Sequence, residues 1–383
     1  MLMGLAGLAR KVYHDSDLQD TNDQLLARLQ ADDNDATAWL DLSILATLRF
    51  QHDLAAQARR VALSLTNHYT LPAVKPQRLT LLALLAPGDL MANTPLEFLL
   101  ENSTITLHLL YLATLDDLKR APAHDVLFVA VGQSDRNRSL LEALVEGLRH
   151  WPRPVINRPE QILRTGRDSA FTLLADIPGL VIPETARLHR SQLEPLVATF
   201  NAPLIVRPLD SHAGRDLAKV GDPAGSRAYL ETVPDEWFYV SPYIDYAGPD
   251  GLFRKYRIVL LDTRSYAGHL AVSAHWMVHY LNAGMRSSAS KRAEEARFMQ
   301  DYDTDFARRH ERALSEISRR TRLDYLILDC AELPDGTLLL FEIDTSAVIH
   351  DLDQGTDFAY KQAPMQRLFT AFETFLLARA VVS

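Results

Sequence analysis

The chain has 383 residues, 47% hydrophobic and 23% charged, a balance that suits a soluble globular protein with two or three domains and substantial cores. Its formal charge of -9 argues against a general binder of nucleic acid or of an anionic membrane. A single cysteine, Cys330, excludes an intrachain disulfide and is in keeping with a reducing cytoplasm. Met1 to Leu8 lacks the cationic start and length of a secretory signal, and no run reaches the roughly 20 apolar residues of a membrane span. The expected location is cytoplasmic, with neither nucleic acid nor membrane as a partner.

In chain order, residues 1–75 read as helical. The stretch DDNDATAWLDLSILATLRFQHDLAAQARRVALSL, with Trp39, Leu42, Ala46, Phe50 and Ala55, resembles one tetratricopeptide unit, a helical hairpin of about 34 residues. A stack needs about three such units, so one alone packs on the rest of the chain or on a protein or peptide partner. An ordinary helical hairpin fits the pattern equally well. From residue 76 to 186 strands and helices alternate: RLTLLALL, ITLHLLYL and DVLFVAVG are buried strands, PLEFLLEN and RSLLEALVEGLR helices, and PVIN a short strand. Gly132 follows a strand and precedes a helix, where open α/β sheets bind ligands. Neither a dinucleotide fingerprint nor a P-loop is present.

Residues 187–383 form the third expected domain. LIVRPLD and DLAKV flank a polar loop, WFYVSPYIDY, RKYRIVLLD and HLAVSAHWMVHY are further strands, residues 289–321 read as one long helix, and 365–381 as a closing amphipathic helix. His275 and His279 share a face on a strand or a helix, but no Glu lies between them as in HExxH, so they are assigned to the cleft or core rather than to zinc.

The most informative stretch is LDYLILDCAELPDGTLLLFEIDTS, residues 323–346. Asp335-Gly336 is a strong signal for a two-residue hairpin turn, and that turn sets Asp329 opposite Glu342. Alternation then puts Asp344, with Ala331 and Leu340, on the same face. Opposed like charges about 5 Å apart destabilise a hairpin unless something compensates them. A hard divalent cation does so with oxygen ligands; the plain alternative is a solvated sheet edge. Cys330 alternates to the other face, beside Phe341, as a core residue.

With those residues in view the chain resembles the ATP-grasp superfamily, of the glutathione synthetase, D-alanine ligase and RimK type, clearly over 124–355 and in outline from 78. The resemblance implies an α+β or α/β class, with an ATP-grasp fold behind an open α/β domain and an N-terminal helical element. It implies that Asp329, Glu342 and Asp344 hold two magnesium ions, for which manganese can substitute; Asp344 stands where the family has Asn. Arg167, with Arg164 as its substitute, and Arg207 stand where lysines usually meet the ATP phosphates. Ser211 and Gly214 fall in a glycine-poor version of the phosphate loop. Ser241, Tyr243 and Ile244 lie where the adenine is recognised, and Asp250, or else Asp245, where the ribose is held. Arg257 matches an arginine near the transferring phosphate.

The implied activity is that of an ATP- and magnesium-dependent ligase that joins a carboxylate to an amine through an acyl phosphate, ADP-forming, with an amino acid, a small acid or a peptide as substrate. The competing expectation is a non-catalytic ATP-binding scaffold or regulatory protein that recruits a partner through its N-terminal helices. ATP consumption separates the two.

Overall fold

A buried acid, Asp41, and a half-buried one, Glu97, organise the start of the chain. Asp41 accepts the backbone N–H of Met3 at 2.9 Å and of Gly4 at 3.0 Å, and Glu97 accepts that of Ala6 at 3.3 Å, so the first turn of α1 (Gly4–His14) has its free donors satisfied by side chains. Then follow α2 (Gln19–Ala31), α3 (Ala36–Leu48) and α4 (His52–Leu65). Asp35 caps α3 through the N–H of Ala38 at 3.0 Å. The small residues Ala55, Ala58 and Ala62 form the buried face of α4, which lets it lie close against α3. A helical hairpin is therefore present over 36–65; α1 and α2 also pack on α3.

The computed structural model describes residues 1–14, 18–211 and 214–381. These form a mixed α/β protein of two compact units. The first comprises Met1–Gly132, Ser139–Glu160 and Thr345–Ser383. Its sheet contains β1 (His68–Leu71), β2 (Leu79–Leu85), β3 (Ile105–Tyr111), β4 (Val126–Val129) and β5 (Val155–Ile156) in the order β1-β3-β2-β4-β5. Only β1 runs antiparallel. β2 and β4 are apolar runs rather than alternating ones because parallel strands such as these are buried on both faces. Gly132 makes a close approach: a Cβ there would lie 2.4 Å from Ser346 Oγ.

The second unit, Gln133–Arg138 with Gln161–Asp344, holds two sheets. Its strands are β6 (Leu180–Val181), β7 (Ala186–His189), β8 (Leu204–Pro208), β9 (Ala218–Val220), β10 (Trp237–Pro242), β11 (Phe253–Leu261), β12 (Arg264–Ser273), β13 (Tyr325–Glu332) and β14 (Leu338–Asp344). The smaller sheet has the order β7-β10-β8-β9 and the larger β12-β11-β13-β14-β6. Helices Arg190–Thr199 and Pro223–Thr232 cover the smaller sheet, with Leu193, Val197, Val206 and Phe238 in its core. Among the described residues no helix is long and apolar enough to cross a membrane.

Three expectations are corrected. The span 289–321 is not one helix but three, Ala289–Gln300, Phe306–Arg309 and Glu311–Thr321. The break falls at Asp301-Tyr302-Asp303-Thr304-Asp305, where short polar side chains compete for the backbone and the Thr304 hydroxyl bonds the Asp301 carbonyl at 3.1 Å. Strand β12 ends at Ser273, so His275 and His279 lie on a loop; His279 caps the short turn Tyr280–Asn282.

The third correction concerns the hairpin. Leu333 rather than Pro334 faces Thr337, and the loop is Pro334-Asp335-Gly336, with Gly336 N–H bonded to Leu333 C=O at 2.8 Å and Gly336 at φ +84°. Pro at the second position of a type I turn followed by a left-handed Gly accounts for this three-residue form. The pairs Glu332–Leu338, Ala331–Leu339 and Cys330–Leu340 follow, and then a bulge shifts the register by one at Phe341. Asp329 therefore does face Glu342, and Ile327 faces Asp344. Leu340 belongs with Cys330, not with the acids, and Cys330 is fully buried.

Candidate functional site

The larger sheet carries a charged face. Register aligns Arg257 on β11 with Asp329 on β13, and Asp329 with Glu342 on β14; Lys255 and Asp344 share the face by alternation. Asp329 is 2% exposed and accepts Arg257 Nε at 2.8 Å, Arg257 Nη2 at 2.9 Å and Lys255 Nζ at 2.6 Å. Burial alone would raise its pKa, but Arg257 and Lys255 override that and hold the carboxyl well below the ordinary range. Burial pulls Lys255 down while Asp329 opposes it. His279 is lowered by burial and by the charges of Lys255 and Arg257.

Arg167, the first residue of helix Arg167–Leu174, reaches this face and pairs with Glu342. Arg164 instead bonds Gln161 at 3.0 Å in solvent. On the smaller sheet, Arg187, Tyr239 and Arg207 form one row across β7, β10 and β8. Arg187 binds Asp168 at 2.7 Å, Asp135 at 2.8 Å and the Tyr239 hydroxyl at 2.8 Å, with its guanidinium 5.2 Å from the centre of that ring. Arg207 is 9% exposed. Its donors go to the hydroxyl of Ser211 at 3.1 Å and to the Ser211 carbonyl, and it has no carboxylate partner among the described residues. Burial, reinforced by the charge of Arg167, pulls it well below the usual guanidinium value.

Thus Arg167, Arg207, Arg257, Asp329, Glu342 and Asp344 are connected by contact or by charge, whereas other expected residues are engaged elsewhere. Ser211 is buried beneath Arg207, and Gly214 sits at φ +75° with Met277 Sδ 3.3 Å from where its Cβ would be; His212 and Ala213 of that loop lie outside the described residues. Ser241 is paired with Ile205 in the sheet, the N–H of Tyr243 donates to Pro203 C=O at 2.9 Å, and Ile244 follows the end of β10. Lys219 lies 3.5 Å over the Tyr243 ring. Asp250 is gripped by Arg254 at 2.7 and 3.0 Å, while Asp245 accepts the N–H of Ala247 at 3.1 Å.

Sequence reasoning missed Lys255, Arg187 and Tyr239. Lys255 was legible, since it lies two residues before Arg257 on one strand. Arg187 was not, because Ala186–His189 is too short and polar to read as a strand.

For a divalent cation the donor set fits in kind: three carboxylate side chains on one sheet face supply hard oxygen ligands. As the side chains stand, Asp329 is closed by Lys255 and Arg257 and Glu342 by Arg167, and among the described residues no three His, Cys, Asp or Glu groups converge on a metal position. The arrangement is therefore one of buried cations balanced against acids on one side, with Arg207 left without an acid on the other.

No family model matches the sequence. In structure the chain is similar to ATP-grasp proteins. One is a RimK-domain ATP-grasp protein from Sphaerobacter thermophilus, 17% identical, the match covering 78% of this chain and 99% of that one with a TM-score of 0.43. Another is the D-alanine–D-alanine ligase of Bacillus anthracis complexed with ATP, 15% identical over 80% of this chain and 100% of that one, TM-score 0.42. A third is the D-Ala:D-Ser ligase VanG of Enterococcus faecalis, 12% identical over 79% of this chain and 100% of that one, TM-score 0.48.

Proposed function

We propose that the protein is an ATP-dependent ligase that joins a carboxylate to an amine through an acyl phosphate. The observation that carries this reading is Arg207, a guanidinium buried beside a like charge and without a carboxylate partner among the described residues. Such a group costs free energy until an anion reaches it, and the planar fork of arginine matches a phosphate. In this reading Arg207 and Arg167 take the phosphates of ATP, and Ser211 and Gly214 frame the loop beside them. Residues 241–244 receive the base, and Asp250 or Asp245 the ribose.

Phosphate draws Arg167 from Glu342, and as Lys255 and Arg257 turn toward the group in transfer Asp329 opens as well, so that Glu342, Asp329 and Asp344 would hold magnesium. When bound, the ion neutralises phosphate oxygens and orients them. Arg257, with Lys255, faces the group in transfer. The substrate carboxylate oxygen attacks the terminal phosphorus and ADP departs; the amine then attacks the acyl carbon, loses its proton, and phosphate leaves. Positioning and charge carry such a reaction, so no nucleophilic side chain is needed. The acid and the amine belong to the class of amino acids, small acids or peptides.

The test is Glu342→Gln, assayed for ADP release with mixtures of acids and amines. Loss of the charge at constant shape is expected to lower release by at least about 100-fold, on the order of 3 kcal/mol of transition-state stabilisation, with a smaller loss of nucleotide affinity. Near-normal release would return these carboxylates to an ordinary ion-paired sheet face. One observation favours a second reading, a non-catalytic nucleotide-binding scaffold whose N-terminal helices recruit a partner: Asp329 is already neutralised by Lys255 and Arg257. ATP binding with no ADP release from any acid and amine would select it.

A further inference from the structure

The first unit contains a cavity of about 660 Å³, counting the part open to solvent. It lies where α3 and α4 meet the carboxyl ends of β2 and β3, the end of a parallel sheet at which α/β folds take ligands. Leu40, Ile44 and Leu48 from α3 and Leu85, Leu96 and Leu109 opposite make its walls apolar. Asn93 clamps the loop at the mouth through both the N–H and the C=O of Ala86, at 2.7 and 2.9 Å.

Two polar groups in this lining are unused. Arg59 makes no hydrogen bond or ion pair among the described residues; burial pulls its pKa down, and Asp89 acts on it through charge alone. The Tyr111 hydroxyl likewise has no partner among the described residues, and Arg59 is near enough to act on its titration. A half-buried guanidinium and a phenol that both donate, set in an apolar chamber, make up a recognition site with its counter-group missing. Glu97 in the same wall is committed to the start of α1, and its charge disfavours a dianion.

We infer that this cavity binds a small monocarboxylate with an apolar body, its carboxylate on Arg59 and Tyr111 and its hydrocarbon part among Leu40, Ile44 and Leu85. This site stands apart from the ligase proposal, since every wall belongs to the first unit and none of the charged groups of the second is used.

The experiment is calorimetric titration of the full chain, without nucleotide, with hexanoate and phenylacetate and with their primary amides. The acids are expected to bind at least about tenfold more tightly than the amides, the size of one charged hydrogen-bonded pair. Arg59→Gln is expected to erase that preference, Arg59→Lys to keep part of it, and Ile44→Trp to block acids and amides alike, with unchanged circular dichroism in each. Equal affinity for acid and amide, no binding of either, an acid preference that survives Arg59→Gln, or binding that survives Ile44→Trp would each overturn the inference. None of these outcomes depends on ADP release, so the ligase reading stands or falls separately.

Discussion

Replacing Asp329 by asparagine is expected to weaken the larger sheet of the second unit by about 3 kcal/mol. The carboxylate is 2% exposed and its two cations, Lys255 and Arg257, are 17% and 16% exposed, so the amide would take from two largely buried positive charges the one carboxylate that both bind, while Asp344 acts on Arg257 through charge. Breaking a buried pair in this way costs about 3–5 kcal/mol, and the lower end applies because both cations retain some contact with water. Hydrogen exchange at the amides of β11 and β13 reads the loss locally, where a global midpoint would mix two units. The expected acceleration is roughly 150-fold. A change under roughly fivefold, or about 1 kcal/mol, would refute the view that this acid neutralises the face. The pH dependence has a definite sign. The folded-state pKa of Asp329 lies below its unfolded value, so its stabilisation is fully present above the ordinary carboxylate value of 3.8 and is lost as pH falls through the depressed one. The penalty of Asp329→Asn should therefore be constant from neutral pH down to about pH 5 and shrink only in stronger acid.

Arg207→Ala is expected to weaken ATP binding at least about tenfold while Arg257→Ala spares affinity and lowers turnover, because the first would meet ground-state phosphate and the second charge that develops in transfer; equal losses of affinity would remove the distinction. ATP should raise the melting temperature more with magnesium than with a chelator, since the carboxylates that lose their cations to phosphate otherwise repel it; equal shifts would count against the metal assignment. Tyr239→Phe deletes one 2.8 Å bond to Arg187 and is expected to cost about 1 kcal/mol in exchange of β7 and β10, with ATP affinity unchanged. A large loss of affinity would place Tyr239 against the nucleotide rather than behind Arg187.

Much of this architecture is legible from alternation and turn chemistry. The apolar runs of β2, β3 and β4 announce buried parallel strands, and Pro334-Asp335-Gly336 announces the hairpin. The two-residue turn predicts the opposition of Asp329 to Glu342 from a loop one residue too short, and the bulge at Phe341, which leaves no clear local signal, restores the register. What could not be read lies in pairing between distant strands. That Lys255 and Arg257 both close on Asp329 depends on how β11 lies against β13, and that Arg207 meets no acid depends on the row Arg187, Tyr239, Arg207 across three strands. Propensity describes each strand and is silent on which neighbour it takes.

The first unit draws its residues from separated parts of the chain, and this orders its assembly in time. Helix Gln362–Val381 supplies Phe372, whose ring lies 6.2 Å from that of Phe128 on β4, and Glu373, which accepts both the N–H and the hydroxyl of Thr104 at 2.8 and 2.5 Å. On the ribosome those residues emerge after the whole of the second unit has been made, so the nascent sheet β1–β5 waits for its last cover while the later-begun unit can already be complete. The unit begun first is finished last. A premature stop before residue 362 would therefore injure the beginning of the protein, leaving Phe128 and the end of Thr104 to whatever chaperone or protease reaches them first.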